Sequence, residues 1–312
     1  MENTNEYKYV QLDDSNINHL VYLYKKVFNQ NYTLEEIKAK YLANYTGITA
    51  QGHFAFLNNK PVAFHGAIPV LMKYKNKVEL AAQYGDAMTL PSHTKKGLFS
   101  TLGELTDQVL IKKEVKFVWG FPNQNSEYGY VNKLNWLGNS RMKYLIIDLK
   151  TIPKEALYRK TKILEKAFQR KTKQALDSII TTKENLASID TNQFVSVNRS
   201  KDYYNYKSFT PNYMVELNSC KVWIKPLGGL LVGDLEVKNE TQVLDTIERL
   251  KELAVQLGLK KVIIQASPES DIYKILQTQF SFSDSWLIGY KNFDSDFPLE
   301  KLQFTYGDLD TF

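Results

Sequence analysis

The chain has 312 residues, 43% hydrophobic and 24% charged, with a formal net charge of +6. That balance suits a soluble globular protein long enough for one large or two ordinary domains. A single cysteine (Cys220), 4 histidines without HxxxH spacing and the lack of a long apolar run argue against a disulfide framework, a metal cluster and a membrane span.

Residues 7–12 read as a first strand, and Asp13, Asp14 and Ser15 offer N-caps for a helix through Ile17, Leu20, Val21, Tyr24 and Phe28. Thr33 with Glu36 forms a capping box opening a second helix through Ile37 and Tyr41. Residues 54–57 and 62–70, joined by Asn58-Asn59-Lys60, make a hairpin, and Asn76 turns the chain into a strand over 77–90. Pro91 and Ser92 break that strand. A basic turn follows (His93, Thr94, Lys95, Lys96), and Gly97 leads into the apolar-periodic run Leu98, Leu102, Leu105, Val109. Residues 117–119 form a short buried strand, 123–134 a short helix capped at Asn125 or Ser126, and 144–149 a closing strand.

The turn at 91–97 is the most informative stretch. A strand feeding a glycine turn and then a helix N-terminus presents unpaired N–H groups and the positive end of a helix dipole. Lys95 and Lys96 add formal charge, so a phosphorylated ligand is expected. Neither G-x-x-x-x-G-K-[ST] nor G-x-G-x-x-G is present.

Residues 150–190 differ in composition. Lys154, Arg159, Lys160, Lys162, Lys166, Arg170, Lys171 and Lys173 face only Glu155 and Glu165 across 154–173, with an apolar stripe of Leu157, Ile163, Leu164, Phe168 and Leu176. This reads as a basic helical connector packed by its stripe. From 191 the first pattern partly recurs: a helix end near 201–207, strands near 214–217, 220–225 and 229–237, a helix over 241–257 with Gly258 as C-cap, a strand at 261–265, a helix at 270–279 and a last strand at 286–290. Before its main helix this half carries Lys238-Asn239-Glu240-Thr241, an acidic side chain where a phosphate would sit.

The segment Thr94-Lys95-Lys96-Gly97-Leu98-Phe99 resembles motif A of the GNAT N-acyltransferases, [RQ]-x-x-G-x-[GA], with Gly97 matching and Thr94 and Phe99 departing from the pattern. The order β-α-α-β-β-β-α-β-α-β over 1–150 is the GNAT order, and GFPNQNSEYGYVNKLNW is similar to the fourth-helix region of bacterial members. The resemblance implies an α/β fold with a mixed sheet, in tandem: an acyl-CoA-binding domain over 1–150, the basic connector over 151–190, and a degenerate GNAT-like domain over 191–312. It implies direct transfer from acyl-CoA, with acetyl-CoA as the expected co-substrate, to a small-molecule or sugar amine. Backbone amides of Thr94, Lys95, Lys96, Gly97, Leu98, Phe99 and Ser100 would hold the pyrophosphate, and Met88, Thr89 and Leu90 would pair with the pantetheine arm. Asp86 or His65 would act through water as base. Tyr128 or Tyr130 would protonate the thiolate, since the usual Tyr position falls on Val131. Asn125, with Asn123, straddles the usual Asn position.

Two other readings remain open. One is an aminoacyl-tRNA-dependent transferase of the peptidoglycan-bridge type, which the basic helix would suit. The other is a binding protein that kept the fold without catalysis. The polar N-terminus has no signal-peptide core, so the cytoplasm is the expected compartment. Only the basic helix speaks for nucleic acid, and the sequence sets no oligomeric state.

Overall fold

The computed structural model describes residues 6–158, 161–182, 184, 186 and 188–312. In chain order the first elements are β1 (Lys8–Gln11), α1 (His19–Leu23), which continues through a π-helical turn to Phe28, and α2 (Leu34–Tyr41). The expected capping box opens α2: Thr33 Oγ1 accepts from the Glu36 N–H at 3.2 Å, and Glu36 accepts from the Thr33 N–H at 2.7 Å. Then come β2 (Gln51–Leu57), β3 (Lys60–Tyr74), β4 (Lys77–Thr89), α3 (Leu98–Lys112), β5 (Phe117–Gly120), α4 (Glu127–Lys133) and β6 (Leu137–Asp148). The remainder runs α5 (Lys154–Tyr158), α6 (Lys162–Leu176), β7 (Ser196–Val197), α7 (Lys201–Lys207), β8 (Tyr213–Leu217), β9 (Cys220–Pro226), β10 (Leu230–Leu235), α8 (Glu240–Leu257), β11 (Lys261–Ala266), α9 (Asp271–Leu276) and β12 (Ser283–Asn292).

The described residues divide into two compact units, within Met1–Asn139 and Trp286–Lys301, and within Ser140–Ser285 and Leu302–Phe312. The first unit holds a sheet in the order β1-β2-β3-β4-β5-β12. Its β4–β5 pair is parallel, with α3 as the crossover, and its other pairs are antiparallel. The buried face of α3 (Leu98, Leu102, Thr106, Leu110) follows a four-residue spacing. Truncating Leu102 to Ala there would cost about 2–5 kcal/mol. The second unit repeats the pattern in the order β6-β11-β10-β9-β8, with β10–β11 parallel and α8 as crossover.

The closing strands sit differently from the sequence expectation. Residues 143–148 of β6, expected to complete the first domain, pair with β11 in the second unit. Residues 289–292 of β12 pair with β5 in the first unit. Ladder hydrogen bonds do not record which half of a duplicated chain supplies the last strand, so an exchange of equivalent strands preserves every local interaction.

The basic helix also departs from its expected stripe. On α6, Phe168, Thr172 and Leu176 are buried at four-residue spacing, and Phe168 and Leu176 join the core of the second unit. Leu157, Ile163 and Leu164 face outward instead. Arg159 and Lys160 lie outside the described residues. Among the described residues no helix is long and apolar enough to cross a membrane, and no group of His, Cys, Asp or Glu is disposed to hold a metal ion.

Candidate functional site

In the first unit the parallel ladder between β4 and β5 runs Ala82–Val118, Gln83–Trp119, Tyr84–Gly120 and ends there. Close approach at its end depends on Gly120, where a Cβ would lie 3.0 Å from the Tyr84 carbonyl and 3.5 Å from the Trp136 ring. Beyond Tyr84, β4 stays with β3 but shifts register: Gly85 faces Gly66, and Met88 faces Phe64. Three steps on β4 match two on β3, so β4 carries one extra residue, a β-bulge. Asp86 is that residue, with φ of 57°. The two parallel strands therefore part at their C-terminal ends, where a ligand crevice forms in open α/β sheets.

The end of β4 leads directly to the anion turn. Pro91–His93 form a 3-10 turn, Lys95 takes φ of 61°, and Gly97 caps α3 in the left-handed region at φ of 76°. A Cβ on Gly97 would point into open space, so glycine is needed there for its backbone and not for room. The first turn of α3 holds no acidic residue and no side-chain cap. Thr94 is spent locally, its Oγ1 donating to the Pro91 carbonyl at 3.0 Å. Ser100 Oγ similarly donates to the Gly97 carbonyl at 3.0 Å. Lys95 and Lys96 are exposed. Phe99 does not crowd the turn. Its ring lies against His65 and Tyr130, at centroid distances of 5.2 and 4.9 Å, and over Gly129, where a Cβ would approach it to 2.6 Å.

Of the two tyrosines expected near the reacting sulfur, the structure turns Tyr130 inward and Tyr128 outward. Tyr130 is 5% exposed and packs with Tyr84, Phe99 and Trp136 at the parting of the strands. Tyr128 is 65% exposed, beside Lys133. Asn125 is exposed, and its N–H donates to Asn123 Oδ1 at 2.9 Å, so Asn123 organises the start of α4.

His65 is fully buried, with Nε2 3.1 Å from the Tyr130 hydroxyl and Nδ1 without a partner. Burial, reinforced by the nearby His53, lowers its pKa to about 3, so the ring is neutral. The hydrogen-bond network assigns the ring proton to Nε2, donating to the Tyr130 oxygen, because the other tautomer would bury an N–H without an acceptor. A neutral ring of such low basicity, shielded from solvent, is poorly suited to the base role expected of His65.

Asp86 differs from its expected role as well. Its Oδ2 accepts from Lys40 Nζ at 2.5 Å and from the Tyr41 hydroxyl at 2.6 Å, and its side chain is 8% exposed. Burial raises its pKa, but the Lys40 charge and hydrogen bonds from Lys40, Tyr24 and Tyr41 outweigh burial, and the net shift is downward. A carboxylate so committed and so weakly basic is an anchor, the opposite of a base tuned near neutrality. The residues that the sequence reading passed over are therefore Lys40, Tyr41 and Tyr84. The Tyr84 hydroxyl donates to Asp107 Oδ1 at 2.7 Å, and Lys291 of β12 donates to Asp107 Oδ2 at 2.7 Å. One signal was readable: Lys40 shares the face of α2 that carries Ile37 and Tyr41, and a lysine on an apolar face requires a partner.

This arrangement of strands and helices has known counterparts among solved structures. A GCN5-related N-acetyltransferase from Kribbella flavida matches with a TM-score of 0.55 at 10% identity, over 93% of this chain and 72% of that one. A GCN5-related N-acetyltransferase from Anabaena variabilis matches with a TM-score of 0.55 at 12% identity, over 91% and 72%. The N-myristoyltransferase of Saccharomyces cerevisiae, solved with myristoyl-CoA bound, matches with a TM-score of 0.56 at 12% identity, over 93% and 83%. The chain has the GCN5-related N-acetyltransferase fold. No protein-family model and no curated protein matches its sequence. The likeness therefore lies in the backbone, and the expected mixed-sheet GNAT architecture is the one observed.

Proposed function

We propose that the protein is an acyl-CoA-dependent N-acyltransferase acting at the β4–β5 fork of the first unit. The observation that carries this reading is the continuity of three features. A bulge parts the parallel strands after Tyr84, the strand end runs into a Gly97-led helix start without acidic residues, and the fold is one shared with proteins that handle acyl-CoA. The amides of 95–100, with Lys95 and Lys96, would hold the pyrophosphate. The backbone of Met88, Thr89 and Leu90 would pair with the pantetheine arm.

The chemistry is a direct transfer. The amine nitrogen attacks the thioester carbonyl, the C–S bond breaks, and the amine proton leaves to water. Tyr130 supplies the proton that the thiolate takes up, and His65 Nε2–H fixes the Tyr130 oxygen so that its own proton can be given outward. Asp86 takes no proton in this scheme. Acetyl-CoA is the expected donor and a small-molecule or sugar amine the expected acceptor, with the cytoplasm as the working compartment.

The test is release of free thiol from acetyl-CoA and longer acyl-CoA thioesters in the presence of a panel of primary amines. Amine-dependent thiol release that Tyr130→Phe reduces is the expected result. Binding of tRNA that weakens steeply with salt, without any acyl-CoA binding, would replace this reading with the aminoacyl-tRNA-dependent one. The exposed Lys166, Arg170, Lys171 and Lys173 of α6 are the feature that favours that alternative.

A further inference from the structure

On β3, neighbouring residues face opposite layers. The Phe64 ring packs on Tyr41 of α2 at 5.9 Å, and His65 turns to Tyr130 of α4. Cross-strand pairing then sets the faces of β4. Tyr84, opposite Ala67, points to α3 and reaches the Gly103 carbonyl and Asp107. In a regular strand Asp86 would share the Tyr84 face, because residues two apart point the same way. It does not: its carboxylate reaches Lys40 and Tyr41 of α2. The bulge, with its positive φ at Asp86, has turned this one side chain through the sheet.

The second unit carries a related bulge one residue earlier, at Gly233, with different chemistry and without a left-handed aspartate. Its parallel ladder runs Leu230–Val262, Leu231–Ile263, Val232–Ile264 and ends. The next two residues are again Gly-Asp, Gly233 and Asp234, and the register with β9 shifts at that point. The Asp234 carboxylate, here fully buried, is again met by a cation, the largely buried Arg199, which also binds Asp308. The cation comes from a different place, ahead of α7 in one unit and in the last turn of α2 in the other. In this second unit the opened edge is filled by the chain itself. Thr305 Oγ1 donates to the Gly233 carbonyl at 2.6 Å, the Ser267 N–H donates to the Phe304 carbonyl at 2.9 Å, and Phe312 lies where a Gly233 Cβ would be.

Bulge, Gly-Asp and buried cation thus recur where the strands part, including in a unit whose main helix starts with Glu240 and is unsuited to an anion. A group retained without the anion turn serves the fork and not the chemistry. We propose that Lys40 and Asp86 are positioning residues that hold the β4 bulge, and thereby the opening between β4 and β5 that receives the acyl-CoA arm. The role as a receiving edge rests on the acyl-CoA reading; the clamp on the strand geometry does not.

The test compares wild type with Asp86→Asn and with the double variant Lys40→Met/Asp86→Leu, which removes both buried charges and leaves neither unpaired. Asp86→Asn is expected to lose stability. The double variant is expected to recover most of the melting temperature and yet to show KM for acyl-CoA raised at least tenfold, by more than kcat falls. Amide hydrogen exchange should change in the double variant at 85–88 and at 121, where the ladder can lengthen once the bulge relaxes. A double variant that recovers both stability and KM, with exchange at those amides as in wild type, overturns the clamp. Absence of acyl-CoA binding by wild type removes the acyl-CoA reading instead, and the exchange measurement then decides the clamp by itself.

Discussion

Acidification tests the environment of His65 directly. The unfolded imidazole titrates at 6.5, while burial and His53 lower the folded value to about 3. Between these values the unfolded chain binds a proton that the folded chain refuses, so stability falls as pH falls. At pH 5 the unfolded group sits about 1.5 units below its pKa while the folded group is still neutral. At 1.36 kcal/mol per unit this removes about 2 kcal/mol relative to pH 7.5. For a unit of this size the melting temperature should drop by roughly 4–8 °C from this group alone. His53, lowered to about 4 by burial, acts in the same direction. It is present in wild type and in His65→Gln alike, so it cancels in their comparison. His65→Gln keeps a donor to Tyr130 and cannot be protonated. Calorimetric melts of both proteins at pH 7.5 and 5.0 should show wild type losing about 2 kcal/mol more than the variant. Parallel losses would refute the assignment of His65 as a buried neutral ring, and with it the orientation of Tyr130.

Tyr130→Phe should lower kcat by roughly two to four orders of magnitude with KM for acyl-CoA little changed, as loss of a general acid does, whereas Tyr128→Phe should leave kcat near wild type. Equal effects at both positions would contradict the inward and outward placement of the two rings. Gly307→Ala should destabilise the second unit by about 1–3 kcal/mol, because its Cβ would meet the Trp223 ring at 2.4 Å. Thermal melts read this, and an unchanged transition would mean that the C-terminal segment does not seat in the fork of that unit.

Much of the fold was legible in the sequence because the elements that build it are strongly signalled. The Thr33–Glu36 box, the strands on either side of the Asn76 turn that became β3 and β4, and the Gly258 cap all appear where local chemistry put them. The anion turn was legible for the same reason, since glycine at positive φ leading into an apolar-periodic helix is a local feature. The exchanged closing strands were not legible, because strand pairing is a long-range choice that 137–148 and 283–292 do not encode in their own composition. Asp86 was misread because its role depends on a bulge. Counted as a regular strand residue it points toward His65, and only the extra residue in β4 carries it to Lys40. The Gly-Asp pair that follows an apolar strand in both halves, at 85–86 and 233–234, was the written trace of that bulge.

The proposed transfer depends on acyl-CoA binding at the Gly97 turn of the first unit. Calorimetric titration of the full chain with acetyl-CoA, beside Gly97→Glu, tests it most directly. One acetyl-CoA per chain is expected in wild type, since the second fork is filled by residues 304–312. At a hundredfold excess over Kd the ligand should stabilise the protein by about 2.7 kcal/mol. The variant, which sets a carboxylate and a strained backbone at the anion turn, should lose both. No binding by the folded wild type, two molecules bound per chain, or undiminished binding by Gly97→Glu would contradict it.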